Sequence, residues 1–178
     1  PRRANRATGP RPLAPGRRAG VGGDREVLDR RAGAITIEIL VYKAPDTVRQ
    51  FMRLAASGVY NGMAFHRVAP GFVVQTGALS SLTAPLTAKQ QALVHDLPPE
   101  FNDTTHVKGI VAMARGDAPG SATTSFFICT GASTALDAVH PAFGRVVDWM
   151  AAGGAIEAAP STGQAHNPRT RLTTVSAD

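Results

Sequence analysis

The chain has 178 residues, of which 43% are apolar and only 6% aromatic, enough for one domain with an aliphatic core. This apolar fraction excludes the strongly disordered classes, and no stretch approaches the roughly 18 uninterrupted apolar residues of a membrane-spanning helix. The formal charge of +6 is unevenly distributed along the chain.

The excess of basic residues lies in the first 23 residues. This segment contains six arginines and no acidic residue, whereas the rest of the chain is nearly neutral. Because arginine, proline and glycine bury little apolar surface, we interpret residues 1–23 as a disordered tail or linker, and residues 24–178 as the folded domain. Contact of this tail with nucleic acid or an acidic partner is a second interpretation. No signal peptide or transit peptide is indicated, so the sequence leaves the localisation open.

The first predicted elements are a strand and a helix. Apolar and polar residues alternate over Ala34–Val41, which predicts a half-buried strand whose hairpin partner is the preceding segment REVLD. Pro45 begins a helix that ends at Gly58, since proline favours a first turn and glycine follows a last one. The side chains expected on the buried faces of this strand and helix are Ile35, Ile37, Ile39, Val41, Val48, Phe51, Met52 and Ala55.

The rest of the chain predicts more short strands. The segment AFHRVAPGFVVQTG gives two strands broken at APG, and GIVAMA, SFFICTG, FGRVV and RTRLTTVSA give four more. The excursion over residues 79–99 contains a predicted short helix in TAKQQALVH, and DWMAAGGAIEAA predicts a helix that two glycines weaken. Many short strands, two main helices and no alternation of strand and helix favour a closed antiparallel barrel.

Several kinds of catalytic site find no support in the sequence. The five histidines lack the spacing of metal ligands, and the single cysteine, Cys129, forms no internal disulfide. Cys129 lies in an apolar run, where a free cysteine is usually a small buried hydrophobe. No nucleophile elbow of the type G-x-S-x-G is present. We therefore expect neither a metal nor a cofactor, and hydrolytic chemistry is disfavoured.

Arg67 is the unusual residue of the predicted strands. It lies within a run of mainly apolar residues, although a guanidinium is always charged and is almost never fully buried without a partner. Arg67 therefore either faces water from the edge of the sheet or is held over a cleft where its charge has a function.

Three blocks of the sequence carry a joint signal. They are YNGMAFHRVAPGFVVQTG, then PEFNDTTHVKGIVAMAR with SATTSFFICTG, and finally ALDAVHPAFGRVV. In this order and at this spacing they resemble the cyclophilin family of peptidyl-prolyl cis-trans isomerases, and the resemblance covers about Val27 to Val175. It implies a mainly β fold, a closed eight-stranded antiparallel β-barrel capped by two α-helices, and an enzyme that catalyses rotation about X-Pro peptide bonds.

The resemblance also implies that Arg67 is catalytic and that a groove around it binds the substrate. Gln75 matches a glutamine that anchors the substrate carbonyl and orients the arginine. Ala114 and Arg115 match a strand edge that pairs with the substrate backbone. The remaining groove residues, which form the proline pocket or line its surroundings, are Phe72, Val73, Ser125, Phe127, Leu136 and His140.

Departures from the family pattern bear on substrate contacts. Ser125 stands in place of a groove glutamine, Arg115 in place of a common asparagine, and Ala135 in place of a tryptophan. The double glycine that usually follows Gln75 becomes Thr-Gly. Cyclosporin binds many cyclophilins in this groove, and loss of the tryptophan implies weakened binding of that drug.

Two functions follow from the resemblance. The first is a monomeric prolyl isomerase that acts on exposed X-Pro bonds of peptides or unfolded proteins. The second is a low-turnover cyclophilin-like module that binds proline-containing partners, which Ser125 and Ala135 would favour. A third interpretation gives the main role to the basic tail, which would tether the domain to nucleic acid or an acidic partner.

Overall fold

The described part of the chain consists mainly of β-strands. A computed structural model of the protein describes residues 24–29, 33–148, 156, 171–172 and 174–177. None of the helices in these ranges is long and apolar enough to cross a membrane. The elements in chain order are β1 (Asp24–Asp29), β2 (Gly33–Ile39), α1 (Pro45–Ala56), β3 (Arg67–Ala69), β4 (Val73–Thr76), α2 (Ala88–Gln91), β5 (Ile110–Met113), β6 (Phe126–Cys129), β7 (Ala142–Asp148) and β8 (Thr174–Ala177).

The strands form one antiparallel sheet in the order β3-β4-β6-β5-β7-β2-β1-β8. Side chains are described for the six strands β2 to β7, and β1 and β8 extend the sheet at one edge by backbone pairing. This arrangement confirms a mainly β, antiparallel fold with two helices.

The predicted closure into an eight-stranded barrel is corrected: the sheet is open. Within the described ranges no ladder joins the edge strands β3 and β8, and a single bridge links Ala64 to Arg171. Two backbone hydrogen bonds accompany the bridge: Leu172 N donates to Met63 O at 2.8 Å, and Gly62 N donates to Leu172 O at 2.7 Å. Both bridge residues lie outside the strands, since Ala64 precedes β3 and Arg171 precedes β8.

The early elements largely follow the sequence patterns. Strand β2 buries Ile35 and Ile37, but Val41 is exposed because the strand ends at Ile39 and the chain then turns. Helix α1 begins at Pro45 as predicted. The tail over residues 1–23 lies outside the described residues, and so does the predicted helix DWMAAGGAIEAA except for its first residue, Asp148, which ends β7, and a buried helical residue, Ile156.

Helix α1 covers one face of the sheet. Its Phe51 ring packs 5.3 Å from the ring of Phe126 on β6 and 4.9 Å from Phe143 on β7, measured between centroids. Helix α2 buries none of its residues, and it lies beside the end of α1, where Gln90 Nε2 donates to Ser57 O at 2.9 Å. Of these two helices, only α1 therefore packs on the strands.

The strands bury apolar residues on both of their faces. Val74, Val111, Phe126 and Ile128 face α1 and belong to the main core. The alternate residues of the same strands face the other way and form a second, smaller apolar cluster; it consists of Val73, Ile110, Ala112, Phe127, Cys129 and Ala142. We call this surface the outer face. Because successive side chains of a strand alternate, each strand contributes to both clusters.

Candidate active site

A cleft of about 260 Å³ opens on the outer face of the sheet. Nine of the ten residues predicted for the groove line it, and the exception is Ser125. The cleft is lined by Arg67, Phe72, Val73, Gln75, Ala114, Arg115, Phe127, Leu136 and His140.

Cross-strand pairing places the central residues side by side. Arg67 on β3 lies directly opposite Gln75 on β4, which in turn lies opposite Phe127 on β6. Directly opposed residues of antiparallel strands project from the same face. The pairing therefore puts Arg67, Gln75 and Phe127 in one row on the outer face, although Val68 and Val74 beside them are buried in the main core.

The guanidinium of Arg67 is held by an aromatic ring. Arg67 is half-buried, and its Cζ lies 5.7 Å from the centroid of the Phe72 ring, a favourable cation–π distance. Within the described part of the chain its side chain makes no hydrogen bond or ion pair. Arg67 is thus partly desolvated and oriented, yet no described residue uses its N–H donors. It is the arrangement expected of a charge held over a cleft.

The turn between β3 and β4 positions Phe72. Gly71 has φ of 72°, a conformation that glycine adopts without strain, and Phe72 N donates to Ala69 O at 3.0 Å. The turn lies against Gly131, where a Cβ atom would be 2.0 Å from the carbonyl oxygen of Gly71. Glycine at 131 therefore lets the turn approach, and Thr130 N fixes it by donating to Phe72 O at 2.9 Å.

Phe127 and His140 form the central wall of the cleft. Phe127 is 4% exposed, and the His140 ring packs against it in a T-shaped arrangement with an angle of 82° between the two ring planes. His140 Nδ1 lies 2.9 Å from Met113 O, and because a carbonyl only accepts, Nδ1 carries the hydrogen. Burial lowers the pKa of His140 below its ordinary value. The ring is therefore neutral near pH 7.

Ser125 lies behind the cleft and does not line it. Its Oγ donates to Thr76 O at 3.0 Å and accepts from Gln75 Nε2 at 3.3 Å. The Ser125 hydroxyl thus fixes the amide of Gln75, and direct contact of Ser125 with substrate stays a prediction.

Ala114 and Arg115, expected on a strand edge, come directly after β5, and their pairing with the substrate backbone stays a prediction. Strand β5 ends at Met113 and is paired on both sides, with β6 and β7, so it offers no free edge. The backbone N–H of Ala114 is already used, because it donates to Ser125 O at 2.9 Å. Both residues line the cleft from the loop that follows β5.

One polar pair beneath the cleft was missed by the sequence analysis. Asp137 Oδ1 accepts from the backbone N of His106 at 2.7 Å and from His106 Nδ1 at 3.0 Å. His106 is 1% exposed, and its ring centroid lies 6.1 Å from that of Phe127. The pair joins the segment before β5 to the residue after Leu136. A buried histidine is a weak signal, and its partner lies 31 residues away in sequence.

The excursion over residues 79–99 contributes no residue to the cleft. Its apolar side chains Leu79, Leu82 and Leu86 pack against the main core instead. Helix α2 within it begins with a capping box between Thr87 and Gln90. The excursion therefore packs on the main core and not on the outer face.

Two other kinds of chemistry lack the necessary groups in the described residues. No cluster of three or more histidine, cysteine, aspartate or glutamate side chains is arranged there to hold a metal ion. Cys129 is fully buried, and burial raises the pKa of its thiol to about 11, so it is not a thiolate near neutral pH.

Comparison with known proteins gives consistent results. The sequence model of the family "cyclophilin type peptidyl-prolyl cis-trans isomerase/CLD" matches residues 26–177. A probable peptidyl-prolyl cis-trans isomerase of Brucella abortus is 36% identical over 130 residues, covering 70% of this chain and 66% of that protein, slightly under two thirds of its length. A peptidyl-prolyl cis-trans isomerase of Synechococcus elongatus is 34% identical over 122 residues, covering 68% of this chain and 79% of that protein.

Solved structures show the same fold. A cyclophilin-type isomerase of Cryptosporidium parvum, crystallised in the presence of the dipeptide Ala-Pro, has a TM-score of 0.75 at 19% identity, covering 87% of this chain and 98% of that one. A cyclophilin of Hirschia baltica has a TM-score of 0.72 at 18% identity, covering 87% and 76%. Because the family's sequence model spans most of the chain and the fold agrees, the chain belongs to the cyclophilin-type peptidyl-prolyl cis-trans isomerase family.

Proposed function

We propose that the cleft on the outer face binds X-Pro segments of peptides or unfolded proteins and catalyses their cis-trans isomerisation. The observation that carries this proposal is Arg67, a guanidinium held in the cleft beside an aromatic ring and without a hydrogen-bond partner among the residues that the structure describes. The apolar pocket suits the proline ring, and the cationic donor beside it suits the uncharged nitrogen of the X-Pro bond.

The chemistry of the peptide bond explains what the guanidinium does. Rotation about an X-Pro bond is opposed by a barrier of ~18–20 kcal/mol, because nitrogen shares its lone pair with the carbonyl group. At 90° of rotation the sharing is lost and the lone pair returns to nitrogen. An N–H of Arg67 aimed at that nitrogen stabilises the twisted state and does little for the planar one, as catalysis requires. No proton transfer or covalent intermediate is needed.

The other cleft residues bind and orient the substrate. Val73, Phe127 and Leu136 present an apolar surface for the proline ring. Gln75, held by Ser125, offers its amide to the substrate carbonyl from the position directly beside Arg67. We propose the same boundaries as the sequence analysis, with a monomeric isomerase domain at 24–178 and a basic tail at 1–23.

The second candidate function is a low-turnover module that binds proline-containing partners. It is favoured by Ser125, which holds Gln75 but does not itself line the cleft, and by the small, exposed Ala135 beside Leu136. Both leave the cleft with fewer contacts to an extended peptide. The two candidates differ in turnover and not in binding, so an assay that measures both separates them.

The proposal is tested with a short X-Pro peptide whose isomerisation is followed in the presence of the parent protein and of Arg67→Ala. We expect the substitution to reduce turnover by roughly 10²–10³, the usual effect of removing one preorganised donor. Arg145→Ala is the matched control, because Arg145 is exposed on β7 and pairs with Glu38 away from the cleft. Near-normal turnover in folded Arg67→Ala contradicts the mechanism, and peptide binding without turnover by the parent selects the second candidate.

A further inference from the structure

Arg115 is a second cation of the cleft, and the protein holds it in one position. Its Nε donates to Val139 O at 2.8 Å, and its Nη1 donates to Gly116 O at 2.9 Å and to Asp117 O at 3.0 Å. Its Cζ lies 5.6 Å from the centroid of the Phe101 ring. Three hydrogen bonds and one ring contact therefore immobilise a long side chain that is usually mobile at a surface.

The charge of Arg115 is not neutralised by these contacts. All three acceptors are backbone carbonyls, which carry no formal charge, and Arg115 forms no ion pair in the described residues. Its other terminal nitrogen, Nη2, makes no hydrogen bond there. Asp137, the acidic residue that follows Leu136 of the lining, is engaged by His106.

The described residues that line the cleft include no carboxylate. Its polar members are Arg67, Arg115, Gln75 and His140, and the others are apolar. Burial lowers the pKa of His140 and the positive charge of Arg115 lowers it further, so the ring stays uncharged. The described lining of the cleft therefore carries two fixed positive charges and no negative one.

We propose that Arg115 makes this cleft selective for substrates with an aspartate or glutamate near the X-Pro bond. The inference rests on the proposed function, because it names the substrate class of the same cleft. A guanidinium with a free N–H edge recognises a carboxylate by charge-assisted hydrogen bonds, and its immobilisation lowers the entropy lost on binding. A basic residue at the same substrate position is repelled by Arg115, which adds to the selectivity.

The spacing of the strands limits where the acidic residue lies. Arg67 is on β3 and Arg115 follows β5, three strands away in the order β3-β4-β6-β5. Three spacings of ~4.8 Å separate the two by about 14 Å across the sheet. An extended peptide covers ~3.3–3.6 Å per residue, so the carboxylate belongs within about four residues of the proline.

The experiment compares peptides that differ at one position only. Glutamate, glutamine or lysine is placed in turn at each of about four positions on either side of the proline, and kcat/KM is measured at low ionic strength. We expect glutamate to exceed lysine by about 5–10-fold at one position, as for a partly desolvated charge-assisted contact. In Arg115→Gln the ratio should fall below about twofold, and Arg115→Lys should retain part of it because the charge remains.

The ratio of two peptides for one variant does not depend on how much of that variant is folded. It therefore remains valid even if Arg115→Gln loses stability with its three hydrogen bonds. Arg145→Gln is the matched control and should keep the full ratio, since it removes an equal charge away from the cleft. Equal rates for glutamate and lysine at every position, or a preference that survives in Arg115→Gln, overturn the inference.

The proposed isomerase function is tested separately, by the turnover of the glutamine peptides alone. If the parent turns over none of them, the dissociation constants of the same peptides are compared instead. Weaker binding of lysine than glutamate peptides, removed by Arg115→Gln, then supports the selectivity without catalysis, and equal affinities contradict it.

Discussion

The ring of Phe127 stands almost perpendicular to the imidazole of His140, with their centroids 5.3 Å apart. Edge-to-face packing of this kind contributes about 0.5–1.5 kcal/mol beyond the burial of area. Phe127 also belongs to the buried cluster of the outer face, beside Ala112 and Cys129. One side chain therefore serves both the wall of the cleft and the stability of the sheet.

Replacing Phe127 should for this reason affect both properties. We expect Phe127→Ala to lower the free energy of unfolding by ~3–5 kcal/mol, as for other buried aromatic residues, and to weaken binding of X-Pro peptides. Phe127→Leu should reduce the free energy of unfolding and the peptide affinity by less, because leucine keeps most of the apolar volume. Chemical denaturation and a peptide titration measure the two effects. Unchanged stability in Phe127→Ala would show that the ring is not part of a shared core.

The contact of Asp137 with His106 should make stability depend on acid. The backbone N–H of His106, followed by its ring, holds the pKa of Asp137 below its ordinary value. The unfolded chain therefore takes up the proton first, at about pH 4, and the stabilisation present above that pH is lost as the pH falls through the folded-state pKa. Asp137→Asn should be less stable than the parent at pH 7 but lose less stability on acidification.

The measurement is the free energy of unfolding at pH 7 and at about pH 3, below the ordinary pKa of aspartate. Asp103→Asn serves as the control, because Asp103 is an exposed carboxylate that pairs with Lys43. The measurements are made in about 0.5 M salt, where the Debye length is about 4 Å, so that the exposed pair contributes little to the free energy of unfolding. The prediction is wrong if Asp137→Asn and the parent lose equal stability on acidification.

Activity should persist after treatment with a chelator or with a thiol reagent. The proposed step uses neither a metal nor a nucleophile, and Cys129 is fully buried with a thiol whose pKa burial raises to about 11. The rate of isomerisation is measured before and after each treatment. Loss on chelation would direct attention to the histidines. Loss with the thiol reagent, but not in Cys129→Ala treated in the same way, would show that a bulky adduct distorts the neighbouring Phe127.

The local elements were predictable because their signals are local. Alternation of apolar and polar residues gave β2, and Pro45 gave the first residue of α1. Arg67 could be singled out because a charge inside an apolar run needs an explanation. The same alternation that buries Val68 and Val74 puts Arg67 on the outer face.

The features that escaped prediction depend on contacts between distant residues. In the described residues the bridge between Ala64 and Arg171 is not extended into a ladder, so the sheet stays open. No pattern of apolar residues specifies how far such a pairing extends. The engagement of Ser125 with Gln75 joins residues 50 positions apart. The positions of Ala114 and Arg115 beyond β5 follow from where a strand ends, and sequence patterns define strand ends less well than strand centres.

Cyclosporin binding is expected to be weak in this protein and to be restored by one substitution. Ala135 is exposed in the short turn Thr134–Leu136, next to Leu136, which lines the cleft. A tryptophan at 135 would add a large apolar ring and one N–H donor to that rim. The net hydrogen bond is worth ~0.5–1.5 kcal/mol, and with the apolar contact we expect roughly 1.5–3 kcal/mol, or about one to two powers of ten in affinity.

The measurement is the inhibition of isomerisation by cyclosporin in the parent protein, Ala135→Trp and Ala132→Trp. Ala132 is also exposed, but it precedes the turn and neither of its neighbours in sequence lines the cleft, so it controls for a general effect of an added ring. Turnover of small peptides should change little in both variants, because Arg67 lies on β3 and not in this turn. Tight inhibition of the parent, with no gain in Ala135→Trp, would mean that position 135 does not reach a ligand bound in the cleft.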